Sequence, residues 1–365
     1  MPLLLAFRRY WAIAFIAILS VFTIGFVLPD LPAPLRTTVA PAERWWEHAG
    51  ERLDPYINNT FAFRGAVLAA HRTYGRWLGG GPGELVLKGE RGALFIKDEH
   101  AVEQSIGQLV RPQVVTQAAD VATLLDRYMK SIGGRFVMLV PPNAQTNNFD
   151  LLPAYARALA KKPTEYDLLD AEMKKRGIPF VDMRPILAEA RKSGPIHWLA
   201  DTHWNQRSAL IGFNAAMTAA GRPDLTFDPA EALNPPSQRR TGDLVRLSGE
   251  LEAAVPDVEY LPKPMIQLRK DLTPIPDVMK PVPASEPFPP VANATGREGP
   301  RIMVIGDSFT QNPWSGPLSQ VASAYAWMHH RYCRFDLGAV ERFRPDILIY
   351  APSERQIPCK GEPQR

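Results

Sequence analysis

IMVIGDSFT, residues 302–310, is the stretch on which the reading of the fold turns. Its first four residues are apolar and rich in Val and Ile, as in a strand buried on both faces of a parallel sheet. Gly306 permits a sharp turn. Asp307 and Ser308 then arrive at the strand's carboxyl end, where α/β sheets gather ligands and a following helix offers its free N–H groups. Ser308 is thus presented like a nucleophile, with its own backbone N–H as one donor to an oxyanion. Asp307 reads as a turn-stabilising side chain. Gly-Asp-Ser also occurs in ordinary turns, so the motif needs a partner before it implies chemistry.

DTHWN, residues 201–205, supplies that partner. A serine hydroxyl needs an imidazole to take its proton, and the imidazole needs a carboxylate on its other nitrogen to fix the tautomer. Residues two apart in an extended segment point the same way, so Asp201 can orient His203 without help from a third element. Taken alone, His203 could be an ordinary satisfied histidine and Asp201 an N-cap of the helix that follows. A metal site is the other reading, but His197 and His203 with Asp201 lack a recognised ligand spacing.

Outward from these motifs, strand and helix alternate. ELVLKGERGALFIKDE reads as a hairpin, residues 111–131 as a helix, and RFVMLVPPN as a buried strand ending in a functional loop. ALAKKPTEYDLLDAEMKKRG reads as a helix closing at Gly177 before the strand IPFVDM, and residues 205–221 as a helix opened by the DTHW loop. PDILIYAPSER holds a last buried strand, and residues 319–328 read as helical. This pattern predicts an α/β fold of three layers, α/β/α, around a central parallel sheet. Residues 255–300 are dense in proline and without periodicity, and read as an insert outside the core.

The chain has 365 residues, 45% of them hydrophobic and 22% charged, which fits one large globular domain with appendages and not a disordered chain or a polytopic membrane protein. Its 42 Lys and Arg against 38 Asp and Glu are scattered, so the net +4 does not point to nucleic acid. Residues 1–10 read as a cytoplasmic N-terminus. Residues 11–28, WAIAFIAILSVFTIGFVL, carry no charge and follow Arg8 and Arg9, which predicts a transmembrane signal anchor with the rest of the chain on the far side of the membrane. A cleaved signal peptide is the rival reading. Residues 29–41 form a proline-rich stalk, leaving residues 42–365 as the domain. Cys333 and Cys359, the only cysteines, are expected to pair in an exported chain.

GDSF paired with DTHW resembles the alginate O-acetyltransferase-like family of the SGNH hydrolase superfamily. YINNTFAFRGAV, GALFIKD, VPPN, TGDL at residues 241–244 and PDILIYAPSER support the resemblance. Common SGNH hydrolases carry the Gly-Asp-Ser block first and the Asp/His block last. The order here is reversed, as in the circularly permuted arrangement of the alginate family. The chain departs from that family in its proline-rich insert and in ending soon after Glu354-Arg355, which leaves the polymer open. The resemblance implies Ser308 as nucleophile, His203 as general base and Asp201 as its orienting acid. Asn143, Trp204 and Arg355 stand as candidates for oxyanion or substrate contact, with Trp204 and Trp314 as rings on which a sugar could stack. It further implies a periplasmic enzyme of the bacterial inner membrane that acetylates exopolysaccharide without a metal or other cofactor. Its acetyl donor would be a membrane-bound O-acyltransferase partner. A carbohydrate acetylesterase and a non-catalytic polysaccharide-binding or assembly protein are the alternatives.

Overall fold

In the computed structural model of the chain, the structure describes residues 85–248, 252–283 and 285–364, with isolated helical positions between Tyr10 and Ser20. The backbone divides into one unit of residues 1–84 with 246–251 and another of residues 85–245 with 252–365, and the second holds the fold described below. The anchor read at residues 11–28 and the stalk at 29–41 lie largely outside the described residues. Among the described residues, no helix is long and apolar enough to cross a membrane.

The hairpin forms as its alternation predicts, β1 (Val86–Lys88) pairing antiparallel with β2 (Leu94–Ile96). Helix α1 (Pro112–Ser131) leads into β3 (Arg135–Val140). Helix α2 (Glu165–Arg176) starts in a capping box between Thr164 and Asp167. It stops at Gly177, whose φ of 66° is the left-handed geometry that glycine tolerates at a helix end. Next come β4 (Phe180–Asp182), α3 (Met183–Arg191) and α4 (Gln206–Ala219), the last capped by Asn205 accepting from the Ser208 N–H. A small ribbon joins β5 (Ser237–Arg239) to β6 (Asp257–Glu259). Then follow β7 (Thr273–Pro274), β8 (Val291–Ala294), β9 (Arg301–Gly306), α5 (Ser308–Val321), β10 (Ala324–His329), α6 (Leu337–Phe343) and β11 (Ile347–Ala351).

Seven strands form one sheet in the order β4-β3-β11-β9-β10-β8-β7. Alternation along each strand splits the core in two. Met303 and Ile305 of β9 and Leu348 and Tyr350 of β11 face the layer of α1, α2 and α6. Ile302 and Val304, with Ile347 and Ile349, face the layer of α3, α4 and α5. The three layers are as expected, but the sheet is mixed. β4, β3, β11, β9 and β10 are parallel, while β8 runs antiparallel to β10 and to β7.

The two added strands overturn the reading of residues 255–300 as an insert outside the core. Val278 and Ala292 are buried in the α1 layer, and β8 closes the edge of β10 that would otherwise stand open. Residues 319–328 are also not one helix. Helix α5 ends at Val321, and the alternation of Tyr325 and Trp327 against Ala324, Ala326 and Met328 belongs to strand β10. Cys333 and Cys359 form a disulfide that ties the connection after β10 to the tail after β11.

Candidate active site

Strand β9 delivers Ser308 to the start of α5 at the carboxyl edge of the sheet. A Cβ on Gly306 would lie 2.3 Å from Thr310 Oγ1 and 3.2 Å from the Ala351 carbonyl oxygen, so the approach of helix and neighbouring strand demands glycine. Asp307 is buried and caps the helix, its Oδ1 accepting from the Phe309 N–H at 2.9 Å and its Oδ2 from the Ser353 N–H at 2.8 Å. The Thr310 and Gln311 N–H groups return to the Asp307 carbonyl. In this first turn, the Ser308 N–H is left without an acceptor among the described residues.

The Asp201–Asn205 loop meets this turn from the other side. His203 Nε2 lies 2.8 Å from Ser308 Oγ, and His203 Nδ1 lies 2.7 Å from Asp201 Oδ1. A proton on Nδ1 directed at Asp201 leaves Nε2 free to accept from the serine hydroxyl. The segment is bent at residues 201–203 and not extended as the spacing argument assumed, and the His203 N–H donates to the same Asp201 Oδ1 at 3.2 Å. Burial disfavours a charge on Asp201, yet the His203 hydrogen bond and the Arg239 guanidinium hold its carboxyl well below the usual carboxylate range. The Phe309 ring packs against the imidazole with centroids 5.0 Å apart.

Two residues that sequence reasoning passed over complete the arrangement. Arg239 Nη2 donates to Asp201 Oδ2 at 3.0 Å while its guanidinium stacks on Trp198, 4.1 Å from the ring centroid. Asp243 accepts from the Thr202 hydroxyl and, at 2.8 Å, from the Thr202 N–H; its Oδ2 lies 3.6 Å from His203 Nδ1. Asp243 belongs to the TGDL stretch, which was the one available signal. Asp201, His203 and Asp243 could together offer three ligand atoms within 4.8 Å, a cluster that ligand spacing did not reveal. The donors are already engaged, however. A cation there would compete with Arg239 for Asp201 and with Thr202 for Asp243.

The other candidates fare differently. Trp204 and Trp314 are buried to 2% and 0% exposure, and their Nε1–H groups donate to the carbonyls of Phe309 and Ala209. Both rings are core and present no face to a sugar. Asn143 is fully buried: its Nδ2 donates to Ser105 Oγ at 3.1 Å, and its Oδ1 accepts from the Arg355 N–H at 3.2 Å. It therefore braces the segment after β11 and has no opening to substrate. Arg355 lies over the Phe309 ring at 5.1 Å, with Glu99 as its ion partner at 3.3 Å.

A serine, histidine and aspartate linked at the carboxyl edge of the sheet of a three-layer α/β domain fit the serine-hydrolase-like class, a constellation that recurs on unrelated folds. Residues 86–325 match the family described as SGNH hydrolase-like domain, acetyltransferase AlgX, and the chain belongs to that family. Among solved structures it is similar to Bacillus cereus PatB1 with a sulfonyl adduct, at 14% identity and a TM-score of 0.51, covering 70% of this chain and 92% of that one. The O-acetyltransferase domain of Pseudomonas putida AlgJ matches at 17% identity and a TM-score of 0.46, covering 76% of this chain and 93% of that one. Pseudomonas aeruginosa AlgX matches at 16% identity and a TM-score of 0.41, covering 73% and 61%. Of these likenesses, the one to PatB1 speaks to the fold. No curated protein matches the chain.

Proposed function

We propose that the chain is a serine O-acetyltransferase acting on a bacterial exopolysaccharide, with Ser308 as nucleophile, His203 as general base and Asp201 as orienting acid. The observation that carries this reading is the unbroken hydrogen-bonded line from Asp201 through His203 to Ser308. In the first half-reaction, Ser308 Oγ attacks the acetyl carbonyl carbon and its proton passes to His203 Nε2. The oxyanion accepts from the free Ser308 N–H at the positive end of α5. The bond to the donor then breaks, and the leaving group takes the proton from His203. In the second, a sugar hydroxyl gives its proton to His203, attacks the acyl-enzyme and restores Ser308. If water attacked instead, the protein would be an esterase.

The donor assigned to this reaction is an acetyl ester or thioester supplied by a membrane-bound O-acyltransferase, and the proposed place is the periplasmic face of the inner membrane. Support comes from the uncharged run at residues 11–28 behind Arg8 and Arg9 and from the paired cysteines. The test replaces Ser308 by Ala and follows acetyl transfer from p-nitrophenyl acetate to an oligosaccharide. Loss of transfer to background is expected, with the fold retained because removing one half-buried hydroxyl takes away little packing. Normal transfer by the Ser308→Ala protein would sink the reading. Hydrolysis by the wild type without any transfer would favour the esterase.

A further inference from the structure

Thr202 stands between the acid and the base of the triad, and Asp243 holds it twice. Asp243 Oδ1 accepts from the Thr202 N–H at 2.8 Å, and Oδ2 accepts from the Thr202 hydroxyl. The preceding glycine makes this approach possible. A Cβ on Gly242 would lie 1.9 Å from the Ala200 carbonyl oxygen and 3.3 Å from Asp201 Cβ, so the turn at residues 241–244 rests directly on the backbone of the catalytic loop. Leu244 and Val245 are buried behind it, and Val245 packs in one apolar cluster with Ala200. Asp257 of β6 grips the loop just upstream, accepting from the Leu199 and Ala200 N–H groups.

The same turn brings a second carboxylate to the imidazole. Three oxygens surround His203 Nδ1: Asp201 Oδ1 at 2.7 Å, Thr202 Oγ1 at 3.2 Å and Asp243 Oδ2 at 3.6 Å. Asp201 takes the Nδ1 proton, and the Thr202 hydroxyl turns its hydrogen to Asp243, leaving a lone pair toward the ring. The two carboxylates differ in what else they face. Asp201 has the Arg239 guanidinium 3.0 Å from its far oxygen, so much of its charge is offset before it acts on His203. Asp243 has no Lys or Arg within ion-pair distance among the described residues.

Other titratable neighbours do not supply this charge. His197 is pushed down to about 3 by burial and stays neutral. Asp257 is turned to the Leu199 and Ala200 N–H groups, and on the α5 side Asp307 is engaged by the Phe309 and Ser353 N–H groups. Arg355, beyond the Phe309 ring, is paired with Glu99. When His203 takes the Ser308 proton, the imidazolium therefore meets one carboxylate already balanced by a cation and one that is not. We propose that Asp243 is a second carboxylate of the catalytic centre, a positioning residue that locks Thr202 between the triad members and stabilises the imidazolium form of His203. The proposal rests on the triad reading above and deepens it.

The test uses detergent-solubilised full chain with labelled histidine. The His203 ring is titrated by NMR, its signal assigned by its loss in His203→Gln, and turnover of p-nitrophenyl acetate is followed over the same pH range. Asp243→Asn removes the charge while its amide keeps both contacts with Thr202, the hydroxyl turning round to accept. The His203 midpoint should then move down by about one pH unit, a modest shift because Asp243 is 25% exposed and partly screened. The acid limb of kcat/KM should move with it, and kcat should fall about tenfold with KM unchanged. Thr202→Val works in the opposite direction: it strips the donor from Asp243 Oδ2 and leaves the charge facing Nδ1, so the midpoint should rise. This variant decides the matter by itself if Asp243→Asn does not fold. A midpoint that stays put in the folded variants would overturn the proposal. So would a loss of kcat in Asp243→Asn with the midpoint unmoved, which would make Asp243 a clamp on the loop and nothing more. Turnover that survives Ser308→Ala, with the midpoint still shifting in Asp243→Asn, would sink the catalytic reading and leave the coupling of Asp243 to His203 standing.

Discussion

Arg239 donates to Asp201 on the carboxylate oxygen that His203 leaves free, at 3.0 Å and across 38 residues of sequence. The Asp243 N–H reaches the same oxygen at 3.3 Å. The Asp201 carboxylate is therefore gripped from both sides, one oxygen turned to the imidazole and the other locked to the β5 ribbon. Because Arg239 is itself stacked on Trp198, its guanidinium plane is set before it meets the carboxylate.

Arg239 is thus a positioning residue, and its removal should be felt through His203. Arg239→Ala should lower kcat for a small ester by at least about tenfold, and by less than the roughly 10⁴-fold that loss of the oriented tautomer can cost a triad. KM for that ester should hardly move, because Arg239 acts through Asp201 and not on the substrate. Arg239→Lys should rescue little, since an ammonium cannot stack flat on Trp198 while reaching Oδ2. A kcat equal to that of the wild type would show that the Asp243 N–H suffices to hold the acid.

Trp204 follows His203 directly, yet its role is structural. Its ring packs on Phe309 and Trp314 at 5.7 and 6.4 Å, and a Cβ on Gly212 would lie 2.7 Å from it. Trp204→Phe should cost roughly 1–3 kcal/mol, from lost volume and from the Phe309 carbonyl left without its donor. Denaturant unfolding would measure this, while KM for an oligosaccharide acceptor should be unchanged. A selective rise in acceptor KM at full stability would return Trp204 to the substrate site.

What could be read from the chain beforehand was local. The apolar run before Ser308, the two-residue step from Asp201 to His203 and the glycine that ends α2 each leave their mark within a few residues, whereas the helix read from Ala158 begins only at Glu165, behind the Thr164–Asp167 capping box. The edge strands did not. β7 has two residues and β8 four, too few for alternation to stand out among prolines, and their assignment comes only from pairing, β8 against β10 and β7 against β8. The burial of Trp204 was hidden for a different reason: a large ring next to a catalytic loop looks the same whether it faces a ligand or a neighbouring helix. Arg239 was invisible because an ion pair formed across 38 residues has no period.

Glu354 allows a test by pH. It is 1% exposed, and its carboxylate accepts from the Asn143 N–H at 2.8 Å and from the Thr146 hydroxyl. Burial pushes its pKa up to about 7 from an ordinary 4.5, against the pull of those two donors. Between these values the folded protein keeps the proton that the unfolded chain gives up, so the native state binds more protons. Stability should therefore fall as pH rises through this window and level off above it, by on the order of 3 kcal/mol in all. Asp167 and Asp201, whose carboxyls lie below their ordinary 3.8, act in the opposite sense, and their contribution is lost only as pH falls below about 4. Glu354→Gln cannot ionise and can still accept through its amide oxygen. Urea unfolding of both proteins across this range should show the variant gaining on the wild type as pH climbs. Parallel curves would mean that Glu354 is ionised in the fold at neutral pH, with its two donors outweighing the cost of burial.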